Sequence, residues 1–167
     1  DKCVVLPIGI ANKMWTHGDI HAVYKTLLEN YINVKPNDIY VNINTSTFPY
    51  RKNVLEACIA NGLVSSGSKP YPQYLQELAS HKFCLCVRGN GLDTHRFWEA
   101  LYLGVIPVFI NNDETVSDNF VKNLYNQGIP FVEISSLDEL KKENFTRKRY
   151  YDTIREYGSF YNLQSLK

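Results

Sequence analysis

Between Lys82 and Ile110 the chain reads KFCLCVRGNGLDTHRFWEALYLGVIPVFI, and no other stretch restricts the fold so tightly. A short apolar run, Phe83 to Val87, stops abruptly at Arg88-Gly89-Asn90-Gly91. The polar cluster Asp93-Thr94-His95-Arg96 follows and opens a helical pattern with Trp98, Leu101 and Leu103 on apolar positions. Gly104 ends that helix, and Val105 to Ile110 is a second buried strand interrupted by Pro107. Strand, glycine loop, helix and strand make one βαβ unit.

The same alternation runs along the whole chain. Cys3 to Ile8 is a buried-strand run, and Asp19 to Tyr31 has Ile20, Val23, Leu27 and Tyr31 at helical spacing. A turn at Lys35-Pro36-Asn37-Asp38 precedes a strand over Ile39 to Ile43. Helices are expected over Tyr50 to Asn61, closed by Gly62, and over Tyr71 to His81, with the small polar loop Ser65 to Pro72 between them. Beyond the central unit come a helix at Ser117 to Gln127 and a strand at Phe131 to Ile134. Ser136 and Glu139 form a capping-box pair, and Thr146 to Tyr157 reads as a last helix. Repeated βα units with short connections predict an α/β fold, an open Rossmann-like parallel sheet covered by helices on both faces. Residues 1–167 are expected to form one domain with its own core.

The junction at Arg88 to Glu99 favours an anion. Glycines let a backbone approach closely, free N–H groups point outward at a helix start, and the helix dipole adds positive potential. Arg88 and Arg96 flank the loop, and Asn90, Asp93, Thr94, His95 and Glu99 crowd the same few residues. Asp93 or Thr94 can cap the helix, which leaves the others in need of a further reason. RGNG is neither a Walker loop nor a dinucleotide fingerprint, so the loop alone fits an ordinary turn as well as a phosphate site. His95 is placed to donate to a phosphate oxygen, to hold Glu99 four residues on, or to serve as a structural histidine. In open α/β sheets ligands bind beyond the carboxyl ends of the strands, where Gly9, Thr45, Arg88 and Asn111 would fall. Gly9 admits a ligand or simply makes a turn. Trp15 suits stacking on a base or sugar, or a half-buried loop position, and Arg51 a phosphate, a domain interface or plain surface. His17 and His21 are four apart, but no third ligand is spaced to complete a metal site, and none is expected.

The string FCLCVRGNGLDTHRFWEALYLGVIPVFI resembles the core signature of exostosin-like glycosyltransferases and related viral or microbial proteins. In that family an apolar strand leads into a P-R-G-N-G-type loop, then a D-x-H-R-x-W-E-A-L helix, then G-x-I-P-V. Val87 stands where proline is common, a change of loop stiffness rather than chemistry. Leu6 to Asp19 is similar to the opening of the family's nucleotide-sugar half. The resemblance implies the C-terminal, donor-binding half of a GT-B enzyme, with Glu99 accepting from ribose hydroxyls. It further implies Arg88, Arg96 and the Gly89 to Gly91 backbone facing the leaving diphosphate, with Gly9, Asn90, Asp93, Thr94 and His95 beside the donor. The donor would be a nucleotide-diphosphate sugar and the acceptor a glycan or glycoprotein. The resemblance implies that no cofactor or divalent metal is required, and the lack of a D-x-D motif agrees. The resemblance also implies an N-terminal acceptor domain in a longer parent chain, and the start at Asp1 without methionine reads as an excised domain.

Composition excludes some classes. A formal net charge of +1 gives no basic stripe for nucleic acid. The locally basic stretch Lys141 to Asp152 is mixed with acids and reads as a solvated helix face. No apolar run approaches a membrane span and no signal peptide is visible. Cytoplasmic and Golgi-lumenal locations both fit, and the sequons at Asn44 and Asn144 do not decide between them. Cys3, Cys58, Cys84 and Cys86 lack metal spacing, and Cys84 and Cys86 should share one strand face as small buried hydrophobes. Three readings follow: a transferase half, a non-catalytic nucleotide-sugar or glycan-binding module, and a structural Rossmann domain.

Overall fold

The computed structural model describes residues 7–30, 34–112 and 118–157. Among them the order is α1 (Ile20–Asn30), β1 (Asn37–Tyr40), α2 (Tyr50–Ala60), α3 (Tyr71–Ala79), β2 (His81–Cys86), α4 (His95–Tyr102), β3 (Ile106–Ile110), α5 (Asp118–Asn126), β4 (Val132–Ile134) and α6 (Arg147–Glu156). The strands form one sheet in the order β1-β2-β3-β4, and every adjacent pair is parallel. The expected strand at Cys3 to Ile8 falls almost wholly outside the described residues, and Pro7 and Ile8, at its end, carry no strand. Cys3, Tyr31 and Ser117 also lie outside them.

Helices cover both faces, as the period-two pattern of β2 requires. Cys84 and Cys86 point into a core layer with Val23 of α1, Leu75 and Leu78 of α3, Phe97 and Leu101 of α4 and Leu124 of α5. Phe83 and Leu85 point the other way, onto Val54 and Cys58 of α2, with Tyr150 and Ile154 of α6 packed alongside. A strand buried on both faces reads as a continuous apolar run, which is why β2 and β3 stood out in the sequence. Cys84 and Cys86 are free, buried and 3.9 Å apart at sulfur, at home in the core as small hydrophobes.

Helix ends follow local chemistry. Gly104 adopts φ 65°, and behind it Val105 N–H donates to Ala100 O at 2.8 Å. That left-handed residue closes α4 and aims Val105 into the core. Gly62 ends α2 in the same way, with Leu63 N–H on Cys58 O at 2.9 Å. The capping box at Ser136 and Glu139 forms, but over a single 3-10 turn, Leu137–Glu139.

Several boundaries differ from expectation: β1 ends at Tyr40 rather than Ile43, and His81 opens β2 rather than closing α3. β1 begins at Asn37, inside the expected turn, because Asn37 pairs with His81 and Lys82 Nζ binds Asp38 Oδ1 at 3.0 Å. Pro107 sits within the buried strand β3 without cost to the β4 ladder, which starts one residue later at Val108 and Val132.

Candidate functional site

A cleft of about 1000 Å³ opens above the carboxyl end of β1, between the N-termini of α3 and α4. Its walls come from four segments: Thr16 and His17 before α1, Asn42 to Asn44 after β1, Ser65 to Tyr71 leading into α3, and the first turns of α4. Ligand-sized clefts of this volume at strand ends are the usual location of a site in an open α/β sheet.

Glu99 forms part of its lining and is 3 % exposed. A carboxylate that deep needs donors, and it has two: Tyr71 Oη at 2.8 Å and Tyr74 Oη at 2.6 Å. Both tyrosines project from the first turn of α3, one helical step apart, so the helix start itself builds the receptor for Glu99. Burial, together with the Glu99 carboxylate, raises the pKa of both phenols, although Arg96 opposes the shift at Tyr74. They therefore stay protonated as donors. Each Glu99 oxygen retains acceptor capacity beyond these bonds.

Arg96 adds a fixed cation. Its guanidinium lies 5.6 Å from the Tyr74 ring centre, and Nη1 donates to the Asn42 carbonyl. Its Nε is buried without a hydrogen-bond partner among the described residues. Lys69 faces the cleft from the serine loop, held by Glu77 at 2.9 Å and by Ser66 Oγ. Ser66 N–H on Val41 O at 2.7 Å ties that loop to the edge of β1. Neither helix start is closed by a side chain: Pro70 precedes α3, and Thr94 occupies the N-cap of α4 without a side-chain bond. Two helix dipoles thus point their positive ends at one cleft.

The residues singled out in the sequence separate into groups. Arg96, His95 and Glu99 line the cleft. His95 Nδ1 is 2.7 Å from the Gly9 carbonyl, which can only accept, so the proton sits on Nδ1. Gly9 thereby positions His95, and the tyrosines rather than His95 hold Glu99. Asp93 does not cap α4. Its carboxylate accepts from Trp98 Nε1 at 2.6 Å and from Ile8 N–H at 2.7 Å, binding the chain before α1 to α4. Arg88, Gly89, Asn90 and Gly91 lie outside the lining. Arg88 stacks 4.6 Å over Phe48, and Gly89 N–H closes a turn on Gly91 O at 3.1 Å. A Cβ at Gly89 or Gly91 would meet only ordinary contacts, so the protein's own packing does not require these glycines.

Arg51 is half-buried and held by backbone carbonyls rather than lying free on the surface. Its three nitrogens donate to the carbonyls of Arg88, Asn44 and Val87 at 2.8, 2.8 and 2.9 Å, locking the ends of the two strands that frame the site. Trp98 and Phe97 anchor α4 in the core, while Trp15 is exposed rather than half-buried. No cluster of three His, Cys, Asp or Glu side chains with metal-holding geometry occurs among the described residues. Sequence reasoning missed Lys69, Tyr71 and Tyr74. The available signal was a lysine in a serine-glycine loop immediately before a Pro-Tyr-Pro helix start.

No helix among the described residues is long and apolar enough to cross a membrane. Comparison with curated proteins finds no match. The family model of the exostosin GT47 domain matches residues 13–127, a span that includes every segment of the cleft. The chain therefore belongs to the exostosin GT47 domain family, and its chemistry is that of a glycosyltransferase.

Proposed function

We propose that the cleft holds a nucleotide-diphosphate sugar and that this domain is the donor-binding half of a GT-B enzyme. The observation that carries the reading is Glu99, a buried carboxylate with acceptor capacity left over, beside Arg96 and between two open helix N-termini. Vicinal ribose hydroxyls match a carboxylate, and a diphosphate matches the cation and the amides. During transfer the diphosphate leaves with growing negative charge, so donors fixed in advance stabilise the transition state most. Arg96, permanently charged and pinned by Asn42 and Tyr74, is the leading group for that work. Lys69 and His95 stand beside it. Arg88 and the Gly89 to Gly91 backbone, one loop away, contribute positive potential from the neighbouring strand end.

In this reading the sugar passes to a glycan or protein acceptor without a divalent ion. A further domain of a longer chain supplies much of the acceptor site and the catalytic base. The test is calorimetric titration with UDP-, GDP- and dTDP-sugars, in Mg²⁺ and in EDTA, on the native chain and on Glu99→Ala. Saturable binding to one nucleotide, equal in both buffers and weakened about a hundredfold in the variant, is the expected result. Binding that EDTA abolishes would remove metal independence. Binding that Glu99→Ala leaves intact would move the ribose elsewhere.

A further inference from the structure

The loop between Ile8 and Ile20 is fastened at many points. Its start is held to α4 by Ile8 N–H on Asp93 Oδ2 and by the Gly9 carbonyl on His95, both at 2.7 Å. Within it, Met14 N–H donates to Asn12 Oδ1 at 3.0 Å, Trp15 N–H to Asn12 O at 3.1 Å, and Gly18 N–H to Trp15 O at 3.2 Å. Lys13 pairs with Asp19 at 3.5 Å. Gly18 lies so near the preceding backbone that a Cβ there would stand 2.3 Å from Asn12 O.

Yet Trp15 is 60 % exposed. Leaving an indole in water forgoes burial that a folded chain normally takes. Here fixed backbone, rather than a loose loop, holds the ring out. Its centre is 6.0 Å from the imidazole of His17, with 31° between the planes. His17 and Thr16 line the cleft. Trp15 itself lies outside that lining and adjoins it through His17, which puts the indole at the rim of the cleft.

We propose that Trp15, with His17 beside it, is an acceptor subsite: a shelf on which a pyranose of the incoming glycan stacks. The proposal rests on the donor reading above. A pyranose has apolar C–H faces and hydroxyl edges, which suits an aromatic face flanked by an imidazole and a threonine hydroxyl. The groups suited to diphosphate and ribose, Arg96 and Glu99, line the cleft itself, whereas Trp15 stands at the rim. A second substrate must arrive past that rim.

Fluorescence isolates this residue. The chain has two tryptophans, and Trp98 is buried and donates to Asp93 at 2.6 Å, so emission quenched by acrylamide comes from Trp15. The full chain, saturated with whichever of UDP or GDP it binds, is titrated with cellotetraose, xylotetraose, chitotetraose and mannotetraose. The expected result is a saturable blue shift and loss of acrylamide quenching with at least one of them. Trp15→Ala should weaken that sugar about tenfold by calorimetry, Trp15→Tyr should restore most of it, and nucleotide affinity should stay within about twofold. Three results would overturn the subsite. One is no spectral response to any tetrasaccharide while the nucleotide binds. Another is a tenfold loss of nucleotide affinity in Trp15→Ala, which would make the ring a base platform. The third is a blue shift that grows with protein concentration alone, which would make Trp15 part of a protein interface with the exposed Met14, Tyr24 and Leu28. Sugar binding without any nucleotide binding would instead sink the donor reading and leave the platform standing.

Discussion

Glu99 concentrates both stability and function in one side chain. Its truncation to alanine leaves two tyrosyl hydroxyls buried without their acceptor, at a cost of about 2 kcal/mol in urea unfolding. Tyr71→Phe should cost about 1 kcal/mol while nucleotide binding persists, because Tyr74 still orients the carboxylate. Comparing the two variants by denaturation and calorimetry separates support from recognition. If both lost binding equally, the tyrosines would themselves touch the ligand. Gly18 makes a steric argument of the same local kind. Gly18→Ala sets a methyl against backbone oxygen, and a fall of about 1–3 kcal/mol is expected, with faster amide exchange across residues 11–18.

At the scale of elements, two cations organise helix and strand ends. Arg51 gathers three carbonyls from the ends of two strands, a fork that lysine cannot reproduce. Arg51→Lys should lose about 2 kcal/mol in chemical denaturation. Lys35 reaches the carbonyls of Ala79 and Leu103, at the C-terminal ends of α3 and α4, at 2.7 and 2.9 Å. Burial pulls its pKa down to about 8, below its value in an unfolded chain. The folded state therefore releases this proton first, and stability from Lys35 is complete above about 10.5 and lost as pH falls through about 8. The buried tyrosines work oppositely. Their raised pKa values make stability fall as pH climbs beyond 10. Buried Cys58 and Cys86 oppose Lys35 above about pH 9, because burial raises both thiols. The Lys35 contribution is therefore read by difference: the Tm of the native chain relative to Lys35→Met should rise between pH 8 and 10.

For the whole molecule, ligand binding and folding are linked. A nucleotide at about a hundred times its Kd stabilises the fold by about 2.7 kcal/mol, which for a chain of this size raises Tm by roughly 5–10 °C. Differential scanning fluorimetry in the matching nucleotide checks this, and no shift in any nucleotide would count against the cleft as a donor site.

Much of the architecture was legible in advance because it depends on neighbours in sequence. The period-two burial of Phe83 to Cys86, the glycine closing α4 and the Ser136–Glu139 box each need only a few adjacent residues. The site was legible only in outline. Arg96, His95 and Glu99 do reach the cleft, but Asp93 is 85 residues from its partner Ile8, Arg51 is 37 from Arg88, and Glu99 is 25 and 28 from its tyrosines. A side chain's partners across such separations are set by how helices pack on the sheet, and no local periodicity encodes that packing. The alternation of helix and strand and the family signature were therefore encoded locally along the chain. Tertiary structure alone decided which polar groups were consumed in holding the fold and which were left facing the cleft, because a hydrogen bond forms only between groups the packing brings within 3 Å.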